Sequence, residues 1–66
     1  MEVTKIINYV NENYSLNVSL FFDDNIQITF FDDSCTFEKT IFIDYGITTE
    51  ELINKITKEL DKIRNL

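Results

Sequence analysis

The side chains in this sequence that could do chemistry are mostly carboxylates, and several come in pairs. Asp23-Asp24-Asn25, Asp32-Asp33-Ser34 and Glu50-Glu51 are the clearest. Paired acids can serve as acid and base in glycoside hydrolysis, supply oxygens to calcium, or present negative charge to a basic partner. Calcium is disfavoured because Asp23-Asp24-Asn25 lacks the glycine and distal glutamate of an EF-hand loop. Hydrolysis is disfavoured because 66 residues leave little room for a substrate pocket. The lone Cys35 excludes an internal disulfide, and the chain has no histidine to activate its thiol. Cys35 reads as a packing residue at a strand end. Without histidine, the commonest zinc ligand and general base is also missing. The expectation is a non-enzyme with no metal and no cofactor.

The charge is unevenly placed. Of a net −6, the segment from Asp23 to Glu51 carries −7, with Lys39 as its only base, and the remainder carries +1. No basic patch is present, so direct binding to nucleic acid is disfavoured. A basic protein surface is the partner that this distribution suits.

These acids need a scaffold, and the length fits one domain, residues 1–66. The apolar fraction of 44% is that of a folded globular chain. It is built from ten Ile and six Phe with no Ala, large side chains worth roughly 1.5–3 kcal/mol each when buried. No apolar run approaches the roughly 20 residues of a membrane span. The N-terminal residues lack the apolar core of a signal peptide, so a cytoplasmic protein is expected. Heavy use of Ile, Asn, Lys, Asp and Phe points to an A/T-rich genome, such as a low-GC bacterium or one of its phages.

Val3, Ile6, Ile7, Val10 and Tyr14 fall on one face of a helix that exits at Ser15. From Leu16 the period becomes two. Leu16, Val18, Leu20 and Phe22 form the inward set of a first strand, and Asp23-Asp24-Asn25 turns the chain. Ile26, Ile28 and Phe30 form the inward set of a second strand, closed by Asp32-Asp33-Ser34. A third strand runs from Cys35 to about Asp44 with Phe37, Ile41 and Ile43 inward. Lys39 interrupts that face, so a bulge or an edge position is expected there. After Tyr45-Gly46, Thr48 and Glu51 make a capping box and Ile47 and Leu52 a hydrophobic staple. Leu52, Ile53, Ile56, Leu60 and Ile63 continue as the apolar stripe of a second helix, with Lys58, Lys62 and Arg64 towards its C-terminus.

Short connections make the sheet a meander, and two helices with one apolar stripe each cover one sheet face. The expected fold is therefore α+β, a two-layer sandwich of αβββα order. That order gathers Glu2, Asp23, Asp24, Asp44, Glu50 and Glu51 at one pole. The opposite pole holds Glu12, Asp32 and Asp33, offset by Lys58, Lys62 and Arg64. On the outer sheet face stand Phe21, Phe31 and Phe42, a possible interface to a partner or a second copy. If the first turn is Asp23–Asn25, Phe21 pairs with Gln27 and Phe31 with Asn17, which separates the rings.

Size, acidity, the A/T-rich style and the helix–three strands–helix order resemble small acidic phage-encoded inhibitors of the anti-CRISPR, DNA-mimic type. The resemblance spans the chain as architecture and charge, with no diagnostic motif. It implies an inhibitor that covers the basic, nucleic-acid-binding surface of a bacterial defence protein. By analogy, the contacting acids would be Asp23, Asp24, Asp44, Glu50 and Glu51.

Overall fold

The computed structural model describes residues 2–64, with the backbone alone described at Arg64. It contains α1 (Val3–Tyr14), β1 (Asn17–Phe22), β2 (Ile26–Phe31), β3 (Glu38–Ile43) and α2 (Thr49–Arg64). The strands form one antiparallel sheet in the order β1-β2-β3. Both helices lie on one face, as the expected αβββα sandwich requires. Ile6 and Val10 of α1 and Leu52, Ile56 and Leu60 of α2 share one core with Ile26, Ile28, Phe30, Ile41 and Ile43.

Local chemistry sets the element ends. Ser15 takes the left-handed conformation (φ 56°) and returns its N–H to the Asn11 carbonyl, which closes α1. At the start of α2 the capping box is complete. The Glu51 N–H donates to Thr48 Oγ1 at 3.1 Å, and the Thr48 N–H donates to Glu51 Oε1 at 3.2 Å. Leu52 is fully buried and Ile47 packs against the core, so the staple also forms. Gly46, at φ +94°, occupies a backbone region that L side chains rarely adopt.

Three expectations need correction. The third strand begins at Glu38, not Cys35, because Asp32 organises the preceding loop. Its carboxylate accepts from the Thr36 N–H at 2.8 Å, the Thr36 hydroxyl at 2.7 Å and the Phe37 N–H at 3.2 Å. Cys35 is consequently an exposed turn residue in the left-handed region (φ 58°), not a packing residue. Lys39, by contrast, takes the edge position that was one of the two alternatives expected there, without a bulge: the register runs unbroken from Ile26↔Ile43 to Phe31↔Glu38. Its position is tolerated because β3 is an edge, where a lysine can reach water. Finally, Phe22 has inward parity but is 53% exposed, since it ends the other edge strand.

The helices run parallel. The Glu2 N–H donates to Thr49 Oγ1 at 2.9 Å, Tyr9 hydrogen-bonds Thr57, and the Tyr14 hydroxyl donates to Asp61 Oδ1 at 2.9 Å. Each contact joins matching levels of the two helices.

Two substitutions test this account. Thr48→Ala should lower stability by about 1 kcal/mol through loss of the cap. Phe30→Ala should cost about 3–5 kcal/mol, enough to abolish most of the folded population in so small a domain. Urea unfolding followed by circular dichroism measures both.

Candidate functional site: the acidic pole and the outer sheet face

The acidic pole is assembled from three chain segments. Asp23 and Asp24 form the β1–β2 turn, where the Asp23 N–H donates to the Asn25 carbonyl at 3.0 Å. Asp44 follows β3, which runs in the same direction as β1. The Tyr45 hydroxyl donates to the Asp23 carbonyl at 2.6 Å, so the end of β3 is tied to the first turn. Glu50 and Glu51 lie in the first turn of α2, and the Glu2–Thr49 bond brings the start of α1 to the same place. All six of these acids are exposed.

The two poles use their aspartates differently. At the far end, Asp32 is consumed by its own loop and Asp33 accepts from Asn17 Nδ2 at 2.8 Å. At the acidic pole, the carboxylates of Glu2, Asp23, Asp24, Asp44 and Glu50 have no hydrogen-bond or ion-pair partner among the described residues. Glu51 differs, because one of its oxygens serves the cap. Hydrogen bonds from Thr48 hold its carboxyl below the usual glutamate range. The Thr36 hydroxyl, followed by the Phe37 amide, likewise holds Asp32 below the aspartate range.

The outer face is open. Its rows are Asn17–Phe31–Glu38, Ser19–Thr29–Thr40 and Phe21–Gln27–Phe42. Phe21 pairs with Gln27 and Phe31 with Asn17, the pairings that a three-residue turn requires. Gln27 also pairs with Phe42, so Phe21 and Phe42 bracket one glutamine beside the acidic pole, 59% and 58% exposed. Phe31 stands at the other end of the face and is half-buried. The structure thus unites two of the three rings with the acids and separates the third. Tyr45, 54% exposed, joins that end; its place immediately before the only glycine was the signal available for it in the sequence.

Other surfaces offer less. An open groove of about 530 Å³ follows the helix seam and mixes Glu2 and Glu12 with Lys5, Asn8 and Tyr9. Among the described residues, no three His, Cys, Asp or Glu side chains are grouped to hold a metal ion. No described helix is long and apolar enough to cross a membrane. Searches against protein-family models, curated proteins and solved structures found no match for the chain.

The hydrogen bonds imply a pH response with two signs. Glu51 and Asp32 have lowered folded-state pKa values, so their stabilisation is complete above pH 4.5 and is lost as pH falls through the folded values. Burial, then the bond to Asp61, pushes Tyr14 up to about 12. Its contribution is complete below the unfolded value of 10 and declines between pH 10 and about 12. Carboxyl NMR titration should place Glu51 below 4.5, and Thr48→Ala should raise it. Tyr14→Phe should flatten the stability profile at the alkaline end.

Proposed function

We propose that this chain is a non-enzymatic, cytoplasmic inhibitor whose acidic pole occupies the basic, nucleic-acid-binding surface of a bacterial defence protein. The observation that carries the reading is the set of carboxylates at one pole without a partner among the described residues, against the internally bonded aspartates at the other. A carboxylate with an internal bond gives up that bond when it meets a cation. Those of Asp23, Asp24, Asp44 and Glu50 give up only water.

The electrostatics fit this role. Grouped exposed acids steer a basic partner into contact and speed association, an effect that salt weakens within a Debye length of about 8–10 Å. The Phe21–Gln27–Phe42 row supplies apolar area next to the charge, which surface ion pairs alone lack. Such a surface competes with phosphates for the same lysines and arginines.

The test combines Asp23→Asn, Asp24→Asn, Glu50→Gln and Glu51→Gln in one variant. RNA-guided nucleases and other DNA-binding defence proteins are each loaded with a fluorescent duplex, and its displacement by the chain is titrated. The wild type should displace the duplex. The variant should bind about tenfold more weakly or worse, with a shallower dependence on salt. Unchanged affinity and salt slope would sink the mechanism.

A second reading, a homodimer through the outer sheet face, draws on the same pair of exposed rings. Sedimentation of the wild type against Phe21→Ser with Phe42→Ser separates the two. A dimer that the substitutions dissolve supports the second reading, and a monomer in both cases removes it.

A further inference from the structure

Phe21 and Phe42 stand on the two edge strands of the sheet and pair with the same central residue, Gln27. Their backbones are therefore two strand spacings apart, roughly 10 Å. Both rings are more than half exposed, so the slot between them is open, with Gln27 as its floor. In the adjoining row, the Thr29 and Thr40 hydroxyls bond one another at 2.9 Å. The Gln27 side-chain amide, by contrast, has no hydrogen-bond partner among the described residues.

Two of the acids continue the same strands. The Asp23 N–H donates to the Asn25 carbonyl at 3.0 Å, which carries the β1–β2 ladder one step past Phe22. Asp23 lies two residues beyond Phe21, and Asp44 two residues beyond Phe42. Alternation puts all four on the outer side, with the acids roughly 7 Å further along than the rings. Two rings and two exposed carboxylates thus mark the corners of one small patch. The neighbouring rings are otherwise placed: Phe22 takes the inner parity, and the Tyr45 hydroxyl is held by the Asp23 carbonyl.

We infer that this patch is an arginine site, taking one guanidinium of a protein partner into the slot between Phe21 and Phe42. The inference deepens the function proposed above and rests on it for the partner being a basic protein.

Charge and shape together select the occupant. Two carboxylates beside the slot attract a cation and repel phosphate, which removes a nucleotide as the flat group. Two ring faces select among cations. A guanidinium is planar and weakly hydrated and stacks on aromatic faces, whereas an ammonium is compact and strongly hydrated. A flat plate in contact with a ring on each side needs roughly 7–8 Å. Side chains rising from backbones roughly 10 Å apart leave that space by leaning slightly inward. The guanidinium edge carries five N–H donors, which suit the Gln27 amide oxygen at the floor and the carboxylates along the strands.

Two blocked peptides of equal charge test the inference, one of four Gly-Arg repeats and one of four Gly-Lys repeats, each titrated into the full chain and followed by NMR. The arginine peptide should bind about fivefold more tightly than the lysine peptide, and should shift the Gln27 side-chain amide and the ring signals of Phe21 and Phe42. Phe21→Leu with Phe42→Leu retains the charge and removes the ring faces, so it should bring the two peptides to equal affinity. Asp23→Asn with Asp44→Asn should weaken both peptides. Equal affinity of the wild type for the two peptides would overturn the inference, and that comparison needs no variant to fold. So would an arginine preference that survives the leucine pair, or shifts centred away from Gln27. Displacement of a duplex without any arginine preference would leave the proposed function standing and remove the arginine site. Arginine preference without displacement would keep the site and remove that function.

Discussion

Three strands separate the two helices, and from that odd number most of the molecule follows. Each antiparallel strand reverses the chain, so the second helix leaves the sheet in the direction of the first. The helices therefore lie parallel, with both N-termini at one end. Two aligned helix dipoles repel, and each places about half a positive charge at that end. Carboxylates at Glu2, Glu50 and Glu51 offset this charge. The seam between the helices is polar as well as apolar: Glu2 meets Thr49, Tyr9 meets Thr57 and Tyr14 meets Asp61. These bonds supply direction where ridge-and-groove packing alone permits sliding.

The dipoles account for only part of the acidity. Glu50 and Glu51 stand in a helix first turn, and Glu51 also caps it. Asp23, Asp24 and Asp44 belong to the sheet's own connections, where a turn needs local capping but can take it from Asn or Ser. Asp32 shows what a structural aspartate in this chain looks like, with three donors on one carboxylate. Among the described residues, Asp23, Asp24 and Asp44 have no such donors. Their charge is available to something outside the chain, and this distinction separates a surface that is acidic by construction from one that is acidic and unoccupied.

How much of this could be read beforehand depended on the range of the interaction involved. The change of period at Leu16, the capping box of Thr48 and Glu51 and the three-residue first turn are local, so element order, register and the acidic pole were all legible. The limits of β3 were not, because a single carboxylate four and five residues upstream holds Thr36 and Phe37 out of the sheet. Alternation alone extended the strand to Cys35 and turned an exposed left-handed residue into a packing one. Phe22 failed for the opposite reason. Its parity is correct, but parity says only which face a side chain takes, and burial depends on whether a helix lies above it.

The outer face shows the same limit from another side. Hairpin geometry correctly separated Phe21 from Phe31, yet pairing across the second hairpin decides where Phe42 stands. Gln27 is shared by both ladders, so Phe21 and Phe42 become neighbours of one residue on the central strand. With strands about 4.8 Å apart, the two rings stand roughly 10 Å from one another, with the glutamine between. That spacing keeps them from burying each other, which is why both remain more than half exposed. A pair of rings held apart by the sheet keeps its apolar area open to solvent. The same frame that holds them, the ends of β1 and β3, also carries Asp23, Asp24 and Asp44, so apolar area and free charge are fixed relative to one another by the sheet itself.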